Sequence, residues 1–524
     1  MAKEMQKEYK PLSFSTTMRN PARIANFLSC IIPFEGQILT EDVIYKVATK
    51  LISRKLYKPI IISKESRLNA IYNSGENFVE EDAHYIIKNS PQKHKEAGFK
   101  KGWPSRFDTW YKLSMELGFI YYAMNEPIKI STTGHMLVDA LREVPKNDDK
   151  IQNVFINSLM KYQTNNPFRK NSNTNAPLPL LLNVIKLLKE DTEETNFGVF
   201  ISELSIIICW PNNNVLDLYK AIKEFRQLHK FSYSDEVMYD RCLQILGADI
   251  TKKKRFKMNQ IIGEAVDEFV RKMRITGLIS IRGNGRFIDF NSFESERIDY
   301  IIRNYTNFKS FDTKEKYFEY MGSIDPQILA IRRLESTGAE AIKEKTINEW
   351  ASKYTSEFIF HELNITCSKN ESCNPTLRII DKPTRFEFLI SIALKQHFKG
   401  IIVKPNYKCD DEGIPTFTAA GNMADIECCD KNCSPLVEVT LMHSRNQAMN
   451  EIPAITRHLN EAIEKYPNTK VFTLFIAPTI HADTIYMAQF SKYQYNIDII
   501  PLDIKEFVRK LGKVVNIFDF INNI

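Results

Sequence analysis

No run in this chain approaches the about 18 apolar residues of a membrane-spanning helix. The first ten residues, Met1 to Lys10, mix charged and polar groups and lack the apolar core of a secretory signal. A cytoplasmic protein is expected. Internal repeats and low-complexity tracts are missing, which excludes solenoids and fibrous classes. Cysteine is present nine times, an odd number without a regular framework, so reduced and mostly buried thiols are expected. Cys428, Cys429 and Cys433 cluster, and Cys367 and Cys373 form a looser pair. Neither group has the C-x2-C spacing of a structural zinc site.

What is present suits several folded domains. The chain has 524 residues, 43% of them hydrophobic and 26% charged. Its net charge of +7 is modest, but the distribution is uneven. Ten Lys/Arg face four Asp/Glu between Lys252 and Asp289, a concentration that suits a polyanion partner. A solvated charged helix explains the same run equally well.

The patterning predicts two recognition units. Thr40 caps a helix over 41–56, and a second helix runs over 105–117 and stops at Gly118. Strand-like alternation over 119–124, a turn at Asn125-Glu126-Pro127 and a return over 128–130 then lead to a helix capped at Ser131. Helix followed by hairpin is the layout of a winged helix, a reader of duplex DNA, although such units also serve protein contacts. Lys100, Lys101, Arg106 and Lys112 are its candidate phosphate contacts. The layout recurs with a helix over 261–276 and strands 278–282 and 287–290 around Gly283-Asn284-Gly285, a strong hairpin signal. Lys253, Arg255, Arg271, Arg274, Arg282 and Arg286 are the cations expected to face DNA there. Between the two units lies a helical middle (178–247), broken at Trp210-Pro211.

The expected division is a winged-helix-like domain over 1–165, a second helical and winged-helix domain over 166–295, a helical linker over 296–375, and a catalytic domain over 376–524. The fold class is thus multidomain: an α+β recognition region, a helical linker, and a C-terminal α/β core of PD-(D/E)XK nuclease type. For the last domain the pattern predicts a helix over 384–397, strands over 400–405, 424–429 and 436–442, a helix over 450–465, a strand over 470–477, a helix over 482–490, a strand over 497–501 and a final helix. This order suggests a mixed sheet between helices.

Two acids fall on neighbouring strand candidates, Asp425 and Glu438, with twelve residues between them. Strand pairing can bring both to one edge, where two carboxylate oxygens suit Mg²⁺ with its remaining waters and a phosphate. A metal there activates water and stabilises charge on the phosphate. Glu427, on the same strand face as Asp425, is a further candidate ligand. By itself the spacing is weakly specific, since strands often carry surface carboxylates.

A longer set of words sharpens it. Ala419-Ala-Gly-Asn-Met-Ala-Asp425, Val437-Glu-Val-Thr440, Thr456-Arg-His458, Leu474-Phe-Ile-Ala-Pro478 and Ile499-Ile-Pro-Leu502 resemble the catalytic domain of AlwI-type type IIS restriction endonucleases, a family that includes strand-specific nicking enzymes. Upstream, Pro33-Phe-Glu35, Ser105-Arg-Phe107, Ile130-Ser-Thr-Thr-Gly134 and Thr276-Gly-Leu278 fall in the family's order. The resemblance implies duplex DNA as substrate, recognition of a short asymmetric site, and cutting a few base pairs to one side. It places metal at Asp425 and Glu438, with the carbonyl of Val439 as a third ligand. It also draws in Glu387, Glu451 and His458 as catalytic residues and Arg457 as a phosphate contact. Second-strand cutting then calls for a second copy or a small catalytic subunit. Two departures stand out: Ala424 replaces the usual proline, and Thr440 holds the lysine position of the general nuclease motif. Water activation would then fall to metal, Glu387 or His458. Plainer roles exist for each helper. His458 suits a packed or capping histidine, Glu451 suits the helix dipole, and Glu387 suits a half-buried structural acid. Competing functions are a non-catalytic winged-helix regulator and a repair or transposition nuclease with the same core.

Overall fold

The computed structural model describes residues 13–15, 18–74, 76–144, 146–191, 198–230, 232–248, 256–333, 338–443 and 445–522. Lys253 and Arg255 lie outside these. No helix among the described residues is long and apolar enough to cross a membrane. The chain divides into two compact units. One takes the described residues of 1–51, 91–142 and 149–334; the other takes those of 52–90, 143–148 and 335–524.

The first unit is mostly helical. Thr40 Oγ1 accepts the Val43 N–H at 3.3 Å, and Ser131 Oγ accepts the Gly134 N–H at 3.1 Å, so both expected caps are made. Helix Trp103–Glu116 is followed by a short antiparallel pair, Ile120–Tyr121 with Lys129–Ile130, and then helix Thr132–Arg142. The second helix-and-hairpin is present as well. A π-helical segment, Asn259–Glu264, feeds helix Ala265–Arg274, and strands Ile279–Arg282 and Phe287–Phe290 pair antiparallel. Gly283, Asn284 and Gly285 all have positive φ, the conformation that makes this tripeptide a tight turn. A third strand, Val199–Phe200, joins the pair from the helical middle. The middle breaks where expected, between helices Leu204–Cys209 and Val215–His229, because Pro211 removes a donor and Asn214 caps the restart.

The second unit is a mixed five-stranded sheet between helices. Among the unit's helices are α1 (Ala339–Lys353), α2 (Ser356–Thr366), α3 (Lys382–His397), α4 (Ile452–Lys465), α5 (Ala482–Tyr495) and α6 (Ile504–Leu511). Its strands are β1 (Ile402–Pro405), β2 (Ile426–Cys429), β3 (Leu436–Val439), β4 (Thr473–Ala477) and β5 (Ile499–Asp503), in the order β5-β4-β3-β2-β1. Strand β2 pairs antiparallel with both β1 and β3, and β3, β4 and β5 run parallel to one another. Period-two alternation sorts the side chains. Ile426, Cys428, Val437, Leu474, Ile476, Ile500 and Leu502 pack with α1, α2, α3 and α6. Leu436, Phe475 and Ile499 pack with α4 and α5. Helices α1 and α2 fall in the expected linker stretch, yet Ile347, Trp350, Ile359 and Leu363 belong to the sheet's own core. Burying that apolar face is what draws them in.

Many element boundaries differ from the sequence expectation by a few residues, among them helix Glu41–Ser53, expected over 41–56, and α5, expected over 482–490. Three of the differences around the sheet have a local reason. Strand β2 starts at Ile426, so Asp425 stands just before it. The register pairs Val437 with Ile426, and the next ladder bond would join the Val439 N–H to Ala424. Instead Asp425 Oδ2 accepts that N–H at 2.7 Å, while the Asn406 side chain takes the Ala424 carbonyl at 2.7 Å. The ladder therefore ends there, and β3 stops at Val439. Helix α4 begins at Ile452 after a π-helical turn over Gln447–Glu451, because Pro453 interrupts the regular ladder of N–H donors. Strand β4 begins at Thr473, with Lys470 making only an isolated bridge to Cys433.

Candidate active site

Continuing the β2–β3 register by one residue sets Glu438 opposite Asp425. Cross-strand neighbours on one face lie close enough to interact directly. Glu438 is buried and Asp425 half-buried at the point where the two strands part. The N–H and C=O of one strand residue point to the same side. The Val439 carbonyl therefore faces the gap that Asp425 spans with its side chain.

Two more carboxylates converge on the pair. Glu387 in α3 is 3% exposed and accepts the Ala419 N–H at 3.2 Å. Glu451, at the end of the π turn, accepts the Thr440 hydroxyl at 3.1 Å. Thr440 thus orients an acid. His458 in α4 is buried, and its Nδ1 shares a proton with Glu438 Oε1 at 2.8 Å. Arg457 lies alongside, donating to the Gly421 carbonyl at 3.2 Å.

The electrostatics follow from four acids in little water. Burial pushes Glu387 well above the usual carboxylate range, and Asp425 and Glu438 add to the rise. Burial lifts Asp425 likewise, with Glu438 and Glu451 adding to it against the Val439 hydrogen bond. Glu438 is also raised by burial, with His458 pulling the other way. Glu451 is raised by burial, opposed by Thr440. Burial disfavours the His458 proton, but the hydrogen bond and charge of Glu438 outweigh it, so the imidazole is held more basic than usual.

Such a cluster calls for positive charge. Its donors are hard carboxylate oxygens, which suit Mg²⁺ or Mn²⁺ and not a thiolate-preferring metal. Among the described residues no three of His, Cys, Asp and Glu form a ready cage. Mg²⁺ does not require one, since it keeps several waters and takes one or two carboxylates plus phosphate oxygens. The residues present fit that demand.

Glu427 does not join the cluster. It faces Lys465 at 2.9 Å and the Tyr466 hydroxyl at 3.3 Å, and Asn406 lies at 3.4 Å. Asn406 carries no spacing signal, yet its amide fixes the turn in front of Asp425; only the fold reveals it. The candidate DNA cations are mostly committed within the first unit. Arg106 donates to His94, and Lys112 pairs with Glu96 at 3.4 Å and Asp108 at 3.8 Å. Arg271 pairs with Asp267 at 3.2 Å, Arg274 is buried, and Arg282 pairs with Asp289 at 3.2 Å. Arg286 is exposed at the hairpin turn, where it donates to the Gly283 carbonyl at 3.2 Å.

A family model described as AlwI restriction endonuclease matches residues 115–335 and 326–510. The chain belongs to the AlwI restriction endonuclease family. Family membership makes it a nuclease of the restriction type. The family match runs through Glu387, Asp425, Glu438, Glu451 and His458 alike. Among solved structures, the small subunit of the heterodimeric restriction endonuclease R.BspD6I is 23% identical, covering 30% of this chain and 77% of that one, with a TM-score of 0.25. Restriction endonuclease FokI is 10% identical and covers 98% of both chains, with a TM-score of 0.26. FokI bound to DNA gives 10% identity, the same coverage and a TM-score of 0.25. No curated protein matches.

Proposed function

We propose that this AlwI-family chain is a type IIS restriction endonuclease whose second unit hydrolyses duplex DNA to one side of a short asymmetric site. The observation that carries this reading is the end of the β2–β3 ladder, where Asp425 stands opposite Glu438 and its side chain takes the Val439 N–H. Asp425, Glu438 and the Val439 carbonyl would hold Mg²⁺. When bound, the metal supplies a water of lowered pKa and charge stabilisation at the phosphate.

The chain's own residues do the rest. His458 engages Glu438 Oε1 and orients the carboxylate that would hold the metal. Glu387, raised by burial, holds a proton more readily than an exposed acid and is placed to pass one to or from water at the edge of the site. Glu451, tied to Thr440, keeps the negative field of the cluster high. Arg457 is placed to contact a phosphate. In the first unit, the helix-and-hairpin pairs serve as winged-helix readers, with Arg286 the exposed cation at the second hairpin. We keep the division into two recognition domains, a helical linker and a C-terminal PD-(D/E)XK catalytic domain as part of this proposal, with α1 and α2 counted to the catalytic domain whose core they share. A second copy or a small catalytic subunit would cut the other strand.

The test is Asp425→Ala in the full chain. Mixed-sequence plasmids incubated with Mg²⁺ should be cut or nicked at fixed positions by the native chain. The variant should lose at least about a thousandfold in rate, the scale of removing a principal charge-stabilising group, while DNA binding measured in EDTA is kept. Native protein that never cuts, or a variant that cuts normally, would sink the reading.

A further inference from the structure

The second unit carries a cation cluster outside the acidic site. Three lysine ammonium groups surround one aromatic ring, Tyr72, on helix Ser66–Ser74. Lys58 Nζ stands 4.1 Å from the ring centroid, Lys369 Nζ 5.1 Å and Lys55 Nζ 5.6 Å. A ring face favours one cation through its quadrupole, but it does not cancel repulsion among three.

Lys55 has a structural reason to be there. Its ammonium donates to the carbonyls of Ile71 at 2.6 Å and Tyr72 at 3.0 Å, near the helix C-terminus where a cation is welcome. Glu76 also acts on it. Lys58 and Lys369 have no such reason. Lys58 is half-buried, and its partner is the neutral side-chain amide oxygen of Asn69 at 3.3 Å. Its ammonium approaches that of Lys369 to hydrogen-bonding range, and burial and Lys369 together bring it down to about 8. No carboxylate pairs with either lysine among the described residues. Lys369 is exposed, so the cluster opens to solvent.

Two ammonium groups held together without a counter-charge form an anion site. Its position suits the substrate. The loop leaving β3, which carries Glu438 and Val439, brings His443 within electrostatic reach of Lys55. Lys55, which shares the Tyr72 ring with them, thus lies near the loop that follows Val439, while the acids themselves repel DNA. A backbone needs cationic anchors on either side of so negative a centre.

We propose that Lys58 and Lys369, seated on Tyr72, hold one backbone phosphate of the duplex that the second unit cuts. The proposal rests on the reading of that unit as the cleaving one. It moves part of the DNA contact from the first unit to the segment 52–90, far upstream of the acids in sequence.

The experiment uses the full chain in EDTA and a long mixed-sequence duplex as probe. Affinity is followed against salt for the native protein, for Lys58→Gln with Lys369→Gln, and for Lys58→Arg with Lys369→Arg. One phosphate contact is worth about 0.9 in the slope of log affinity against log salt. The glutamine pair should lower the slope by about one, and the arginine pair should keep it. In parallel, amine acylation of the native protein is mapped by mass spectrometry with and without the duplex. Protection of Lys58 and Lys369 by the duplex is expected. An unchanged slope in the glutamine pair overturns the proposal, as does equal labelling with and without DNA. Protection by inorganic phosphate but not by duplex overturns it too, assigning the cluster to a small anion. These readouts need no cleavage, so a normal slope change beside an active Asp425→Ala enzyme would fail the cleavage reading alone.

Discussion

Single residues in the second unit act through what surrounds them. Asp498 shows this outside the active site. It is buried before β5, and it pairs with Lys470 and Lys492, each at 2.6 Å. Burial works against its charge, but the two lysines outweigh burial and hold it below the usual aspartate range. Asp498→Ala should cost about 1–2 kcal/mol, a charged hydrogen bond's worth reduced because both lysines reach solvent. The pH dependence has a defined sign. A depressed carboxylate contributes stability above its unfolded value and loses it as pH falls through the folded one. The gap in thermal stability between native and Asp498→Ala protein should therefore be full at neutral pH and close below about pH 4. A gap that widens in acid would contradict this. The same rule of surroundings separates the two strand acids. Asp425 and Glu427 share a strand face by spacing, yet Glu427 is neutralised by Lys465 while Asp425 meets other acids.

Elements meet where backbone permits close approach. Helix α1 packs on the hairpin Lys408–Cys409 with Pro415–Phe417 through the turn that holds Gly413. Gly413 has φ +75°, and a Cβ there would come within 2.3 Å of Thr346 Oγ1 and 2.9 Å of the Ile342 carbonyl. Thr346 Oγ1 already donates to the Glu412 carbonyl at 2.7 Å. Gly413→Ala should thus lose about 2–4 kcal/mol from strain and overpacking together. Chemical denaturation checks it, and unaltered stability would show that the turn does not need glycine. The strand-to-helix layout of this unit is largely visible in period-two and helical spacing. The ends of elements are not, because Asn406, Asp425 and Pro453 set them by side-chain bonds or missing donors that no periodicity records.

At the scale of the molecule, the functions proposed here separate between the two units, recognition in the first and cleavage in the second. One cluster of converging carboxylates of this kind occurs among the described residues, and a duplex has two strands to cut. A chain acting alone should therefore release nicked circles as its first product from a plasmid. Conversion of nicked to linear DNA should rise more steeply than linearly with enzyme concentration if a second copy supplies the second cut. Linear DNA formed directly, at a rate proportional to enzyme, would rule out that scheme. A second-strand rate proportional to enzyme but appearing only on adding another protein would point to a separate small subunit.

Sequence alone determined the chain's family, the two helix-and-hairpin units, and the Asp425–Glu438 pair, because those depend on local order, spacing and turn chemistry. It also named Glu387, Glu451 and His458 as companions through the family's wording. The tertiary structure decided which charges are available. It pairs Arg271 and Arg282 with acids of their own unit, buries Arg274, hands Glu427 to Lys465, and joins Lys58 to Lys369 from segments some three hundred residues apart. Charge is a property of residue type, but desolvation and pairing depend on neighbours that only folding brings near.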